Sequence, residues 1–167
     1  MMFNNEISSI INMLDPKSRD IRGFISEAIV AWILWKRYRY SASIYRVGAN
    51  FYTLSGVGLP EIQDLYFGDL QLVDREKAHL ITDVARGCYN PKPDFLIMRK
   101  GYHHNMSSLK AEVKEVCFIE VKSKTGRKSI KYNKELAQSC KEVGVKFMLA
   151  IFKFQDNWKL NIEFKEC

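Results

Sequence analysis

Apolar and polar positions alternate between two periods along this chain, and the places where the period changes mark its elements. Ile7, Ile10, Ile11 and Leu14 keep helical spacing and predict a short amphipathic helix that Asp15-Pro16 ends. Ser18 or Asp20 can cap a second helix running to about Tyr40, with an apolar stripe of Ile21, Phe24, Ile25, Ala28, Ile29, Trp32 and Trp35. Residues 43–54 predict β-structure turning at Gly48-Ala49-Asn50. Between Pro60 and Asn90 the pattern is weakest: Ile62, Leu65 and Tyr66 fit a helix, and Leu70-Gln71-Leu72-Val73 fits a strand.

The second half reads more clearly. Phe95-Leu96-Ile97-Met98 and Val116-Cys117-Phe118-Ile119 are unbroken apolar runs of the kind buried central strands carry. Gly101 to Lys114, between them, is polar and predicts a long loop or a hairpin excursion. A helix from about Lys134 to Val143 buries Leu136, Cys140 and Val143 and stops at Gly144. Val145 to Phe154 predicts another strand, Gln155-Asp156-Asn157 a turn, and the alternation of Trp158, Leu160, Ile162 and Phe164 a half-buried last strand. Strands interleaved with helices predict an α/β fold, a mixed sheet with helices packed on it. No linker divides the 167 residues, so a single domain spanning 1–167 is expected.

The polar residues that interrupt the two central strands carry the candidate chemistry. Asp94 follows Pro93 at the start of one strand, and Glu120-Val121-Lys122 ends the other. Residues two apart on a strand share a face, so Glu120 and Lys122 project together. Charges at the end of an apolar strand cost free energy unless paired or bound to metal. Hydrolysis of a phosphodiester needs an activated water and neutralisation of charge on the phosphoryl oxygens. Mg2+ meets both needs through one or two carboxylates, which Asp94 and Glu120 can supply, while Lys122 can orient water or stabilise the pentavalent phosphorus. The competing reading is a cross-strand salt bridge at a sheet edge. A second triplet, Glu112-Val113-Lys114, has the same spacing but a polar or helical context, which predicts a solvent-facing salt-bridge segment. Glu27 lies at the edge of the apolar stripe of the long helix and invites a partner, either a metal or a base such as Arg19, Arg22 or a sheet lysine. His103-His104 has no acid or cysteine at ligand spacing and reads as a loop, and no phosphate-cradling glycine motif supports nucleotide hydrolysis.

Charge sharpens this picture. The chain carries 26 Lys and Arg against 19 Asp and Glu, a net +7, which favours a polyanionic partner. From Lys122 to Lys134 there is no acid, and Lys124, Arg127, Lys128, Lys131 and Lys134 form a basic segment suited to a nucleic-acid backbone. A second group, Lys36-Arg37-Tyr38-Arg39-Tyr40, alternates cations with aromatics, although cations also suit a helix C-terminus. Cys88, Cys117, Cys140 and Cys167 form no CxxC pair, and Cys117 and Cys140 fall on apolar faces, so those two are expected reduced and buried. The longest apolar stretch, Ala28 to Trp35, is far below a membrane span of ~20 residues. Met1-Met2-Phe3-Asn4-Asn5-Glu6 has neither the basic start nor the apolar core of a secretory signal, so an intracellular, cytoplasmic protein is expected.

Together, Pro93-Asp94 and Glu120-Val121-Lys122 resemble the PD-(D/E)xK nuclease superfamily, with its restriction-endonuclease-like mixed sheet flanked by helices. Gly23-Phe24-Ile25-Ser26-Glu27 on the long helix and Lys122-Ser123-Lys124-Thr125 after the motif are most similar to archaeal Holliday-junction resolvases and archaeal-virus nucleases. The resemblance covers residues 19–40 and 91–154. It implies a metal-dependent DNA endonuclease in which Glu27, Asp94 and Glu120 bind one or two Mg2+ ions, with Mn2+ able to substitute, and Lys122 assists. It also implies a homodimer, branched DNA as a candidate substrate, 5′-phosphate products, and an auxiliary role for Gln138. The segments before Asp94 and between Asp94 and Glu120 are longer than in the compact resolvases, which separates nuclease chemistry from junction specificity. The alternative is a non-catalytic nucleic-acid-binding protein on the same fold.

Overall fold

The computed structural model describes residues 19–47, 52–53, 75–103, 110–124, 129–154 and 160–167. The helix expected at Ile7–Leu14, the Ser18 cap, the turns at 48–50 and 155–157, and the elements expected at 62–73 lie outside the described residues, as do Arg127 and Lys128. In chain order the elements are α1 (Arg19–Tyr38), β1 (Ser43–Arg46), β2 (Tyr52–Thr53), α2 (Arg75–Arg86), β3 (Phe95–His103), β4 (Lys110–Lys124), α3 (Lys134–Glu142), β5 (Lys146–Phe154) and β6 (Leu160–Glu166).

The strands form one sheet in the order β2-β1-β3-β4-β5-β6. It is mixed: β4 and β5 run parallel, joined through α3, and every other pair is antiparallel. The two apolar runs become its centre. Phe95 pairs with Ile119 and Met98 with Val116, so β3 and β4 lie side by side with their motif ends together.

Strand alternation divides the core into two layers. Leu96, Met98, Val116, Phe118, Phe147, Leu149 and Ile151 face one side, where they meet Ala78, Ile81 and Val84 of α2 and Leu136, Ala137 and Cys140 of α3. Phe95, Ile97, Cys117, Ile119, Ala150 and Phe152 face the other, where they meet Val30 and Leu34 of α1. An α/β architecture with helices on both faces of a mixed sheet was expected and is found. The thiols of Cys117 and Cys140 are free and buried, and burial pushes each up to about 12, which keeps them protonated and inert.

The structure departs from or sharpens the expected pattern in three places. The stripe of α1 was placed on the wrong face: Phe24 is 72% exposed, and Ala28, Trp32 and Trp35 also face outward, whereas Ser26, Val30 and Leu34 are buried. From Ala28 to Trp35 every residue is apolar, so apolar side chains surround the helix and periodicity cannot choose a side. Ser26 tolerates burial because its hydroxyl donates to the Arg22 carbonyl one turn back, at 2.7 Å.

Second, Arg75–Arg86 is a helix that the pattern of the middle region did not reveal. Ala78, Ile81 and Val84 give it a narrow buried stripe, and Gly87, at φ 85°, ends it with its N–H on the Val84 carbonyl. Third, Glu112-Val113-Lys114 is β-strand, within the outer half of a long β3–β4 hairpin. The hairpin reading of 101–114 is therefore the one realised, with a register shift at Arg99/Lys100 where Lys114 is passed over.

Candidate active site

Antiparallel pairing brings Asp94 and Glu120 to the same end of the sheet centre. The Asp94 N–H donates to the Ile119 carbonyl at 2.9 Å, and its carbonyl accepts from the Val47 N–H at 2.8 Å, so its backbone ties β1, β3 and β4. Its side chain continues the ladder: Oδ2 accepts from the Val121 N–H at 2.6 Å. One carboxylate oxygen is thus fixed by backbone.

Glu120 is 1% exposed, the only charged residue among the buried core of the described residues. Its Oε2 accepts from the Asn133 N–H at 3.1 Å. Its Oε1 is buried with no hydrogen-bond partner, although the Lys122 ammonium contacts it as an ion pair. Lys122 reaches it from two residues along the same strand face, and the lysine head keeps some access to solvent.

Asn133 is a residue that sequence reasoning missed. It caps α3, with Oδ1 accepting from the Leu136 N–H at 2.9 Å, and its Nδ2 donates to the Pro91 carbonyl at 2.9 Å. One buried side chain therefore joins the approach to Asp94 with the start of α3, while its own backbone holds Glu120. An asparagine directly before a predicted helix was the available signal. The positive end of α3 also favours a carboxylate at that position.

Glu27 comes to the site from α1, on the opposite face of the sheet, and is drawn to Arg46 of β1 in an ion pair. Arg46, the register partner of Phe95 beside Asp94, was the second residue missed; nothing in the sequence links it to Glu27. Its position depends entirely on β1 pairing with β3.

The carboxyl of Asp94 is raised from 3.8 to about 6. Burial is the largest cause, opposed by the Val121 N–H; the Glu27 carboxylate raises it further, Lys122 lowers it, and Glu120 raises it. All four expected site residues therefore act on one another at the Asp94 carboxyl. A carboxylate cluster of this kind is costly until a cation neutralises it.

The donors suit a hard divalent ion. The Asp94 and Glu120 carboxylates offer oxygens, as Mg2+ requires, and each is oriented by a backbone N–H on one oxygen, while Lys122 occupies Glu120 Oε1. Among the described residues no three His, Cys, Asp or Glu side chains converge as a metal cluster, and Glu27 is held by Arg46. The site as built offers two carboxylates rather than three.

The remaining expected residues divide by position. Lys124 closes β4, and Lys131 and Lys134 are exposed on the path into α3. Gln138 stands apart from the group: it is exposed on α3 and donates to Glu142 Oε1 at 3.0 Å, one turn along. Glu112 and Lys114 lie eight residues up β4 from the motif, roughly 25 Å at strand rise, too far to join Asp94. Among the described residues no helix is long and apolar enough to cross a membrane. No protein-family model matches the chain, and neither the curated proteins nor the solved structures return a match to it, so the function has to be argued from the geometry of Asp94, Glu120 and Lys122.

Proposed function

We propose that this chain is a metal-dependent DNA endonuclease of the PD-(D/E)xK type, built on a restriction-endonuclease-like sheet. The observation that carries the reading is the buried Glu120 carboxylate, held by the Asn133 N–H and the Lys122 ammonium at the strand end it shares with Asp94. Burying a carboxylate costs free energy even when it is paired, and such groups concentrate at functional sites.

In this reading the Asp94 and Glu120 carboxylates would hold Mg2+. The ion, when bound, supplies Lewis-acid stabilisation of the phosphoryl oxygens and an acidified water. Lys122 would place its ammonium against the negative charge that grows on the phosphoryl oxygens. The Val121 and Asn133 N–H groups keep both carboxylates aimed. Arg46 is positioned to hold a phosphate of the scissile strand when it leaves Glu27, and Lys124, Lys131 and Lys134 contact the flanking backbone. A resolvase-like variant of this activity adds a homodimer and symmetrical nicks in branched DNA.

The second reading is a non-catalytic nucleic-acid-binding protein on the same fold. It draws on the Glu120–Lys122 contact, because a lysine that already neutralises the buried glutamate needs no metal.

The test is cleavage of end-labelled four-way junction, flap, linear duplex and single-stranded DNA by wild type and Glu120→Gln, in Mg2+ and in EDTA. Mg2+-dependent cutting that Glu120→Gln loses while still binding DNA is the expected result. Paired symmetrical nicks on the junction alone identify a resolvase. Cutting by pure protein in EDTA overturns the metal mechanism, and salt-sensitive binding without turnover on any substrate establishes the non-catalytic reading.

A further inference from the structure

The outward face of α1 takes no part in the core or in the site, yet it carries the largest exposed side chains among the described residues. Trp32 is 58% exposed, Trp35 38% and Tyr40, just beyond the helix end, 88%. Phe24, Ala28, Trp32 and Trp35 follow one another at three- and four-residue spacing, so they form a single stripe opposite Val30 and Leu34, and Tyr40 lies just past its end. Rings of this size left in water mark an interaction surface.

Cations lie over these rings. Lys36 Nζ is 5.0 Å from the Trp32 ring centre, and the Arg39 guanidinium is 4.4 Å from that of Trp35 and 4.6 Å from that of Tyr40. Between Ala28 and Ala42 there is no acid to offset Lys36, Arg37 and Arg39. The stripe is aromatic and uncompensated in charge at once.

We infer that this stripe is a stacking platform for unpaired nucleotides of the nucleic acid whose backbone the Asp94–Glu120 site cuts, an inference that rests on the nuclease reading of that site. Indole and phenol faces stack on any base, and the guanidinium and ammonium groups among them meet the phosphates. The helix links platform and site. The Glu27–Arg46 ion pair stands at the β1–β3 pairing beside Asp94, and at ~1.5 Å of rise per residue Trp32 and Trp35 lie roughly 8 and 12 Å beyond Glu27 along the axis, a span of a few nucleotides. A strand leaving the cleaved bond unpaired would run onto these rings, which selects substrates with single-stranded character beside the scissile phosphate.

Two other occupants fit less well. A second copy docked by two-fold symmetry sets the same surface against itself, and the stripe has no acid to pair with its own cations. A membrane-surface helix spreads its cations away from the apolar wedge, whereas here they sit on the ring faces themselves.

The experiment is fluorescence anisotropy in EDTA with a labelled 20-nucleotide thymidine strand and a 20-base-pair duplex. Wild type is compared with Trp32→Ala/Trp35→Ala, Trp32→Tyr/Trp35→Tyr and Lys36→Gln/Arg39→Gln. The alanine pair should bind the single strand about 10-fold or more weakly and the duplex within about 2-fold of wild type, and the tyrosine pair should keep most single-strand affinity. The glutamine pair should lower the salt dependence of single-strand binding by roughly one to two counterions. Because the rings are exposed, the alanine pair should keep the wild-type circular dichroism spectrum. Equal single-strand affinity in the alanine pair, or equal losses on both DNAs, overturns the platform. So does loss of a wild-type dimer in sedimentation velocity, or loss of wild-type binding to phosphatidylserine vesicles. Because binding is read in EDTA, it is independent of cutting: wild-type cleavage that needs Glu120 alongside a failed platform removes only the platform. If wild type cuts nothing, the nuclease reading falls and the anisotropy ratio alone decides whether the stripe binds unpaired strands.

Discussion

Glu115 and Glu120 stand five residues apart on the same strand, each beside a lysine, and their surroundings make them different chemical groups. Glu115 accepts from Lys146 at 2.7 Å and from Arg99 at 3.4 Å in a partly exposed setting, and the Lys146 hydrogen bond, more than any other cause, holds its carboxyl below the usual range. Glu120 is sealed from solvent with a single lysine on its Oε1, next to an Asp94 carboxyl that burial pushes up to about 6. Two cations at a wet surface complete a carboxylate, whereas one lysine in a dry strand end leaves part of it available. What separates the two glutamates is burial rather than the presence of an opposite charge.

Activity should separate the two glutamates most widely. Glu120→Gln is expected to lower Mg2+-dependent cleavage by about 10^3-fold or more, since several kcal/mol of charge stabilisation are lost, and Glu115→Gln to stay within about 2-fold of wild type. Single-turnover rates on the best-cut DNA would measure both, and comparable losses would erase the distinction.

Stability against pH should separate them next, with opposite signs. The folded pKa of Asp94 lies above its unfolded value of 3.8, so its favourable contribution is complete below about pH 4 and is lost as pH rises through about 6. The metal-free protein then carries a cost of roughly 3 kcal/mol at neutral pH from this one group. Asp94→Asn should therefore raise the denaturation midpoint near pH 7.5, with the gain fading below pH 4, while abolishing cleavage. Glu115, with its lowered pKa, contributes above its unfolded value of 4.5 and loses that contribution as pH falls through the folded value. Being a surface ion pair, it should cost less than about 1 kcal/mol on change to Gln at pH 7. Urea denaturation at pH 4, 6 and 7.5 tests both, and a stability gain for Asp94→Asn that persists at pH 4 would refute the burial argument.

Ligand linkage follows. Mg2+ at millimolar concentration should raise the melting temperature of wild type by a few degrees, more at pH 7.5 than at pH 5.5, because binding must displace the proton that Asp94 retains. Glu115→Gln should show the same shift and Glu120→Gln none. The smallest effect belongs to Asn133→Ser, which keeps a helix cap but loses the tie to Pro91. It should cost a few tenths to about 1 kcal/mol in stability and lower the cleavage rate without moving Glu115-dependent behaviour.

Much of this was legible in advance where one signal dominated. The runs Phe95–Met98 and Val116–Ile119 are too short and too uniformly apolar for anything but buried strands flanked by breakers, and β3 and β4 contain them. The helix at Lys134–Glu142 and its glycine stop at Gly144, φ 70°, were equally plain. Legibility failed where two signals cancelled. The all-round apolar segment of α1 gave no preferred face, and the narrow stripe of α2 was hidden among Arg75, Glu76, Lys77, His79 and Asp83.

Local chemistry alone determined the two central apolar strands, the helix at Lys134–Glu142 and the last two strands. It also determined that Glu120 and Lys122 share a face, because backbone geometry sets the period of two. Tertiary structure decided the rest. Only the β3–β4 register brings the Asp94 carboxylate onto the Val121 N–H, only β1 pairing delivers Arg46 to Glu27, and only the docking of α3 places the Asn133 N–H on Glu120. These contacts join residues distant in sequence, so no local period encodes them; they exist because burying two apolar faces of one sheet fixes where every strand end must lie.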